Sequence, residues 1–168
     1  RFMPQDFHGG QPELVDYFTN VVLAELPADE RDFLLATAIF DRFDAALCAA
    51  LPGVTQASAR LEGLLHKGLF LQPVEDLPGW FRYHPLLQRV LQDRLAQETP
   101  DRLARLHLAA ARHFMRLCDE ESALFHARRS GDGTEHLDLL RSACERWLKQ
   151  SKLMAILKQL DGIPAEQV

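Results

Sequence analysis

The chain has 168 residues and a formal net charge of −5, with 47% hydrophobic and 26% charged residues, the balance of an ordinary globular protein. Such a length buries roughly two-thirds of its surface, enough for one large or two small cores, and no apolar run approaches the ~18–20 residues of a membrane span. Cys48, Cys118 and Cys144 are too few and too scattered for a disulfide framework or a zinc site, so a reducing cytoplasm is the expected compartment.

The charge is uneven. Residues 1–99 carry 8 Lys and Arg against 14 Asp and Glu, whereas residues 100–168 carry 11 against 10. An acidic first part is a poor start for a binder of phosphate backbones, which needs clustered cations. The opening Arg1-Phe2-Met3-Pro4 has neither an initiator Met nor a signal-peptide pattern and reads as the start of an excised segment.

Residues 1–11, with Gly9-Gly10, read as a linker or arm. Pro12 opens a helix to about Leu26, with Leu14, Val15, Phe18, Val21 and Val22 at helical spacing. Pro27 breaks it. A second helix is expected from about Asp29 to Phe40, with Phe33, Leu34, Ala38 and Ile39 inward and Asp29, Glu30 and Asp32 in its first turn, where the helix dipole favours them. Asp44 starts a short third helix that stops at Pro52-Gly53. Thr55 is the expected cap of a fourth, with Leu61, Leu64 and Leu65 on one face and Gly68 as terminator.

The period then changes. Leu69 to Val74 reads as a strand, Glu75-Asp76-Leu77-Pro78-Gly79 as a turn, and Trp80 to Tyr83 as the returning strand. Pro85 suits a first helical position, because its φ is already helical and its missing N–H would be unpaired there. A helix from Pro85 to about Gln97 follows. Three helices and a hairpin form the winged-helix arrangement, expected over 12–99 with its flanking helices.

From residue 100 onward only helices are expected, at about 101–117, 120–130, 134–150 and 152–160. A shift of 34 residues maps Leu103, Leu106, Ala110 and Phe114 onto Leu137, Leu140, Cys144 and Leu148, and Ala109 onto Ala143. That period with paired helices is the tetratricopeptide signature. The fold class is therefore mainly α: a winged helix, then tetratricopeptide-like helical hairpins over 100–168. The apolar Leu103, Leu106, Phe114, Leu124, Leu139, Leu140 and Trp147 are the expected core of the second part.

No phosphate loop, nucleophile elbow or His-Glu-x-x-His pattern is present, so the chain is expected not to be an enzyme and to have no ATPase activity by itself. His107 and His113 are six apart on one helix, which misses the i, i+3 or i+4 spacing of metal ligands, and no metal site is expected. The fourth helix would be the recognition helix of a DNA-binding winged helix. Its polar residues Gln56, Arg60, Glu62, His66 and Lys67 are mixed in charge, and the wing tip is Glu75-Asp76, so direct DNA contact is not expected. His84 has two readings. It caps the Pro85 helix or packs beside Trp80 and Tyr83, or it joins the free N–H groups of that helix in contacting a phosphate supplied from elsewhere.

Several stretches carry a family resemblance: Asp16-Tyr17-Phe18, Asp32 to Ile39, Ala46-Leu47-Cys48, Leu69-Phe70-Leu71, Trp80 to Leu86, and Leu106-His107, in that order. Glu121 to Asp132 adds a further stretch, in which Arg128-Arg129-Ser130 replace the small residues usual there. The chain resembles the large ATP-binding LuxR-type transcriptional regulators, the family of the maltose-regulon activator. The resemblance implies a position between a nucleotide-binding domain and a sensor region, with a DNA-binding helix-turn-helix beyond. It implies that ATP or ADP is bound by that other domain, with no cofactor in this chain. It also implies that His84 senses the ADP phosphates and holds the resting state, supported by Trp80, Tyr83 and Pro85 at the junction. The implied partners are the protein's own nucleotide-binding domain, the downstream repeats and a small-molecule inducer, while this chain itself is expected to make no direct DNA contact and to meet no membrane. A plain helical protein-interaction module and a directly DNA-binding winged helix are the alternatives.

Overall fold

The computed structural model describes residues 23–68 and 71–160. The expected arm at 1–11, most of the expected helix at 12–26 and the first two residues of the expected strand, Leu69-Phe70, lie outside the described residues. Contacts divide the chain into two compact units between Leu106 and His107.

In the first unit, Leu23–Glu25 form a helical segment, α1, and Ala28–Thr37 form α2. The helix α2 starts one residue before the expected Asp29 and ends three before Phe40. Phe33, Leu34, Ala38 and Ile39 are buried as expected. Ala45–Ala49 form α3, capped by Asp44, whose Oδ1 accepts the Leu47 N–H at 2.7 Å. Ala57–His66 form α4. Here the expected cap is wrong. The residue preceding α4 is Gln56, held in the left-handed region at φ 53°, with no side-chain cap bond, and Thr55 contributes only its carbonyl, to Arg60 Nε at 2.9 Å. Leu61 and Leu64 are buried, Leu65 only half so. Gly68 follows the helix at φ 62°, a conformation glycine adopts without steric cost.

At its turn end the hairpin stops one residue short of expectation on each strand, at Pro73 and Phe81. Leu71–Pro73 (β1) pairs antiparallel with Phe81–Tyr83 (β2), Leu71 opposite Tyr83 and Gln72 opposite Arg82. Leu71 and Tyr83 are buried while Gln72 and Arg82 are exposed, the two-residue alternation of a strand with one covered face. Trp80 belongs to the turn, where its N–H donates to Leu77 O and its carbonyl accepts from Val74. A third strand position was not foreseen: Phe43 and Phe81 exchange both backbone hydrogen bonds, at 2.9 and 2.8 Å. This bridge fastens the segment before α3 to the wing.

Pro85–Glu98 form α5, which packs on α2 and buries Leu87, Val90, Leu91 and Leu95. Gln88 and Gln92 donate to the carbonyls of Phe40 and Ala38 at 3.0 and 2.8 Å, pairing acceptors that the end of α2 leaves unsatisfied. Thr99 ends α5 because the residue before a proline avoids the helical region, and Pro100 then opens α6, Pro100–Arg116. The first residues of α6 belong to this unit and the rest to the next.

The second unit continues with α7 (Glu120–Ser130), α8 (Gly133–Lys149) and α9 (Leu153–Leu160). The connections are short and capped: Asp119 accepts from Ser122, Asp132 accepts from Glu135, and Gly131 closes α7 at φ 74°. Leu124, Leu140, Ala143 and Trp147 form its core, with Met115, Leu139, Ala155 and Ile156 against them. Within the second unit, Leu139 and Phe114 are half-buried rather than buried. Residues paired by the 34-residue shift differ in burial at most positions. Leu106 and Leu140 are both buried, but Leu137 and Leu148 are exposed where Leu103 and Phe114 are half-covered. No helix of the described residues is long and apolar enough to cross a membrane.

Candidate functional site

The strand–helix junction from Trp80 to Pro85 is built from its buried end outward. Tyr83 is 1% exposed, and its hydroxyl lies 2.7 Å from Thr37 Oγ1. Its ring meets Phe43 at 4.8 Å. Burial pushes the phenol pKa far up, so the group stays neutral. Tyr83 thus anchors the strand on α2, and the chain leaves this anchor directly into His84.

His84 is the N-cap of α5. Its backbone is extended (φ −57°, ψ 135°), and its Nδ1 accepts the Leu86 N–H at 3.3 Å. An accepting Nδ1 places the proton of the neutral ring on Nε2. Pro85 occupies the first helical turn, which contains no acidic side chain. The N-terminal end of α5 is therefore electropositive by its dipole, with no carboxylate of its own to offset it. Such an end is chemically suited to anions in general. Of the four junction residues, Tyr83, His84 and Pro85 come together as strand end, cap and first turn, while Trp80 sits at the far end of the short strand and serves the turn.

The face that would read DNA has its cations engaged. Arg60 Nη1 bonds Asp29 Oδ2 at 3.0 Å, and Lys67 Nζ bonds Glu30 Oε1 at 2.5 Å. The Arg60 hydrogen bond also lowers the Asp29 pKa. Both acids sit in the first turn of α2.

Spacing alone did not bring His107 to His126, which stand nineteen positions apart on α6 and α7. Both are buried, with Nδ1 atoms 2.8 Å apart. One imidazole must donate an N–H and the other accept, so at least one is neutral. Phe114 stacks on His126 at 5.5 Å, with 8° between planes. Burial pushes both imidazole pKa values down. The described residues contain no group of three or more His, Cys, Asp or Glu able to hold a metal ion.

Comparison with known proteins agrees with this architecture. The MalT winged helix domain family matches residues 19–103. The chain is 32% identical over 160 residues to the serine/threonine-protein kinase PknK of Mycobacterium tuberculosis H37Rv and, equally, of Mycobacterium bovis, covering 95% of this chain and 14% of those proteins. It is 33% identical over 155 residues to the HTH-type transcriptional regulator MalT of Cronobacter sakazakii, covering 92% of this chain and 17% of that protein. The chain thus spans about one-sixth or less of the length of these relatives, and its similarity to them runs beyond the winged helix into the following helices. By the match over half of its length, the chain belongs to the MalT winged helix domain family.

Proposed function

We propose that this chain is the non-catalytic, regulatory segment of an ATP-dependent, effector-responsive transcriptional activator of the cytoplasm. In this reading it couples the nucleotide state of a separate ATPase domain to inducer sensing. The observation that carries the proposal is the His84 junction, where the imidazole caps α5 through Nδ1 and the first turn of that helix has no acidic residue of its own. Bound ADP supplies anionic phosphate oxygens. His84 Nε2–H donates to them while Nδ1 stays on Leu86, so the same side chain starts the helix and reads the phosphate. A charge-assisted hydrogen bond is worth about 1.5–3 kcal/mol, enough to bias a two-state domain arrangement tenfold or more. Tyr83, fixed on Thr37, holds the imidazole in place.

In the resting state His84 keeps the protein closed on ADP. Inducer binding to the downstream helical repeats, with exchange to ATP, releases this contact and permits self-association and gene activation. Support also comes from the relatives. The same region is shared by a protein named a kinase and one named a transcriptional regulator, which suits a coupling module better than a DNA reader. The ion pairs of Arg60 and Lys67 point the same way. Replacing His84 with Ala in the whole protein tests the proposal: the variant should be active without inducer, whereas unchanged resting activity would refute it.

A helical protein-interaction module without a nucleotide role is the second reading. It is favoured by the exposed Leu137, Leu148, Leu153 and Met154 of the second unit. The His84 variant separates the two, because an interaction module would not respond to it.

A further inference from the structure

The first unit contains a cleft of about 410 Å³, within the size range of small-ligand sites. Two helices present matching triplets to it. On α2, Asp29, Asp32 and Phe33 fall at i, i+3 and i+4. On α6, Arg102, Arg105 and Leu106 do the same, the spacing that puts three side chains on one helix face. Pro52, Gly53 and Val54 also line it. Buried Phe33 and Leu106, with Val54, make an apolar wall.

The polar lining is unbalanced by one charge. Asp29 is paired with Arg60 at 3.0 Å. Asp32 is paired with Arg102 at 3.0 Å, and the same guanidinium also reaches the Asp32 carbonyl at 3.2 Å. Arg105 lines the cleft, is exposed, and has no carboxylate partner among the described residues. Three guanidiniums thus face two carboxylates, and the surplus is a single fork of N–H donors beside an apolar wall.

We infer that this cleft binds a small organic monoanion, a carboxylate carried on an apolar body, with Arg105 holding the carboxylate and the Phe33–Val54–Leu106 wall covering the body. Arg forms paired N–H···O bonds to a carboxylate. A dianion fits less well, because its second charge would stand beside Asp29 and Asp32. The site is separate from the His84 junction and does not depend on the nucleotide reading.

Titration of the labelled protein with benzoate, followed by NMR, tests the inference, with benzyl alcohol and phenyl phosphate as controls. Benzoate should shift the Val54 and Leu106 methyl and Phe33 ring signals saturably at about millimolar concentration, as expected for a ligand of that size. Benzyl alcohol and phenyl phosphate should each bind more weakly. Arg105→Gln, a change at an exposed side chain, should leave the spectrum of the free protein intact and weaken benzoate by about tenfold, the loss of one charge-assisted contact. The inference is overturned if benzoate gives no saturable shift, if benzyl alcohol or phenyl phosphate binds as well, or if the Arg105 variant binds unchanged.

Discussion

The hydroxyl of Tyr83 meets Thr37 Oγ1 at 2.7 Å in a fully buried position, tying the last strand residue before His84 to α2. Thr37 Oγ1 also reaches the Phe33 carbonyl at 2.8 Å, so a threonine hydroxyl left without the phenol keeps one partner. Tyr83→Phe should therefore cost only about 1 kcal/mol. Tyr83→Ala, which empties the core beside Phe43, should cost about 3–5 kcal/mol. Urea unfolding of both variants checks the pair of values.

The cap of α3 is a bonded cap and that of α4 is not. Asp44→Ala should lower stability by about 1 kcal/mol, because the Leu47 N–H loses its acceptor. Thr55→Ala should change it by less than about 0.5 kcal/mol, since only the Thr55 backbone is engaged. Thermal unfolding of the two variants side by side distinguishes them.

These two positions show what the sequence carried and what it did not. Asp44, Asp119, Asp132, Pro85 and Gly131 mark helix ends by their own chemistry, and the helices begin or stop there within a residue or two. Thr55 has the same chemistry but not the geometry, because Gln56 takes a left-handed conformation that no local pattern announces. The hairpin was legible from its alternation. The Phe43–Phe81 bridge was not, because a single backbone pairing leaves no period. The cap role of His84 follows from its place before Pro85. The Thr37–Tyr83 bond, spanning 46 positions, and the His107–His126 contact join different elements, and helical spacing has no term for either. The cleft was hidden for the same reason: its two triplets are each ordinary helix faces until α2 and α6 lie opposite.

The buried imidazole pair makes stability pH-dependent. Burial holds the folded pKa values of His107 and His126 below the ordinary 6.5. Below about pH 6.5 the unfolded chain takes up protons that the folded pair refuses, so stability falls as pH falls. Above that value the contribution is complete and flat. The slope approaches about 1.4 kcal/mol per pH unit for each imidazole. Chemical denaturation from pH 7 down to 5 should show the decline, and replacing both residues with apolar ones should flatten it.

Because Arg60 and Lys67 are paired with Asp29 and Glu30, the winged helix should show no tight DNA binding at low salt. A fluorescent duplex titrated with the protein should give weak binding with little dependence on salt. Tight binding that weakens steeply with log salt, as several phosphate contacts demand, would show that the cations of α4 are available after all.

If His84 reads a phosphate in addition to capping α5, one substitution separates the two roles. Asparagine is a strong N-cap, so His84→Asn should keep α5 and stability within about 1 kcal/mol while removing the imidazole donor. The decisive quantity is the rate of ADP release from the whole protein, compared between the unaltered chain and its His84→Asn and His84→Ala variants. Release should be about tenfold or more faster in both variants, the loss of one charge-assisted hydrogen bond. Release at the unaltered rate from the asparagine variant, with only the alanine variant destabilised, would refute the phosphate role and leave His84 a helix cap alone.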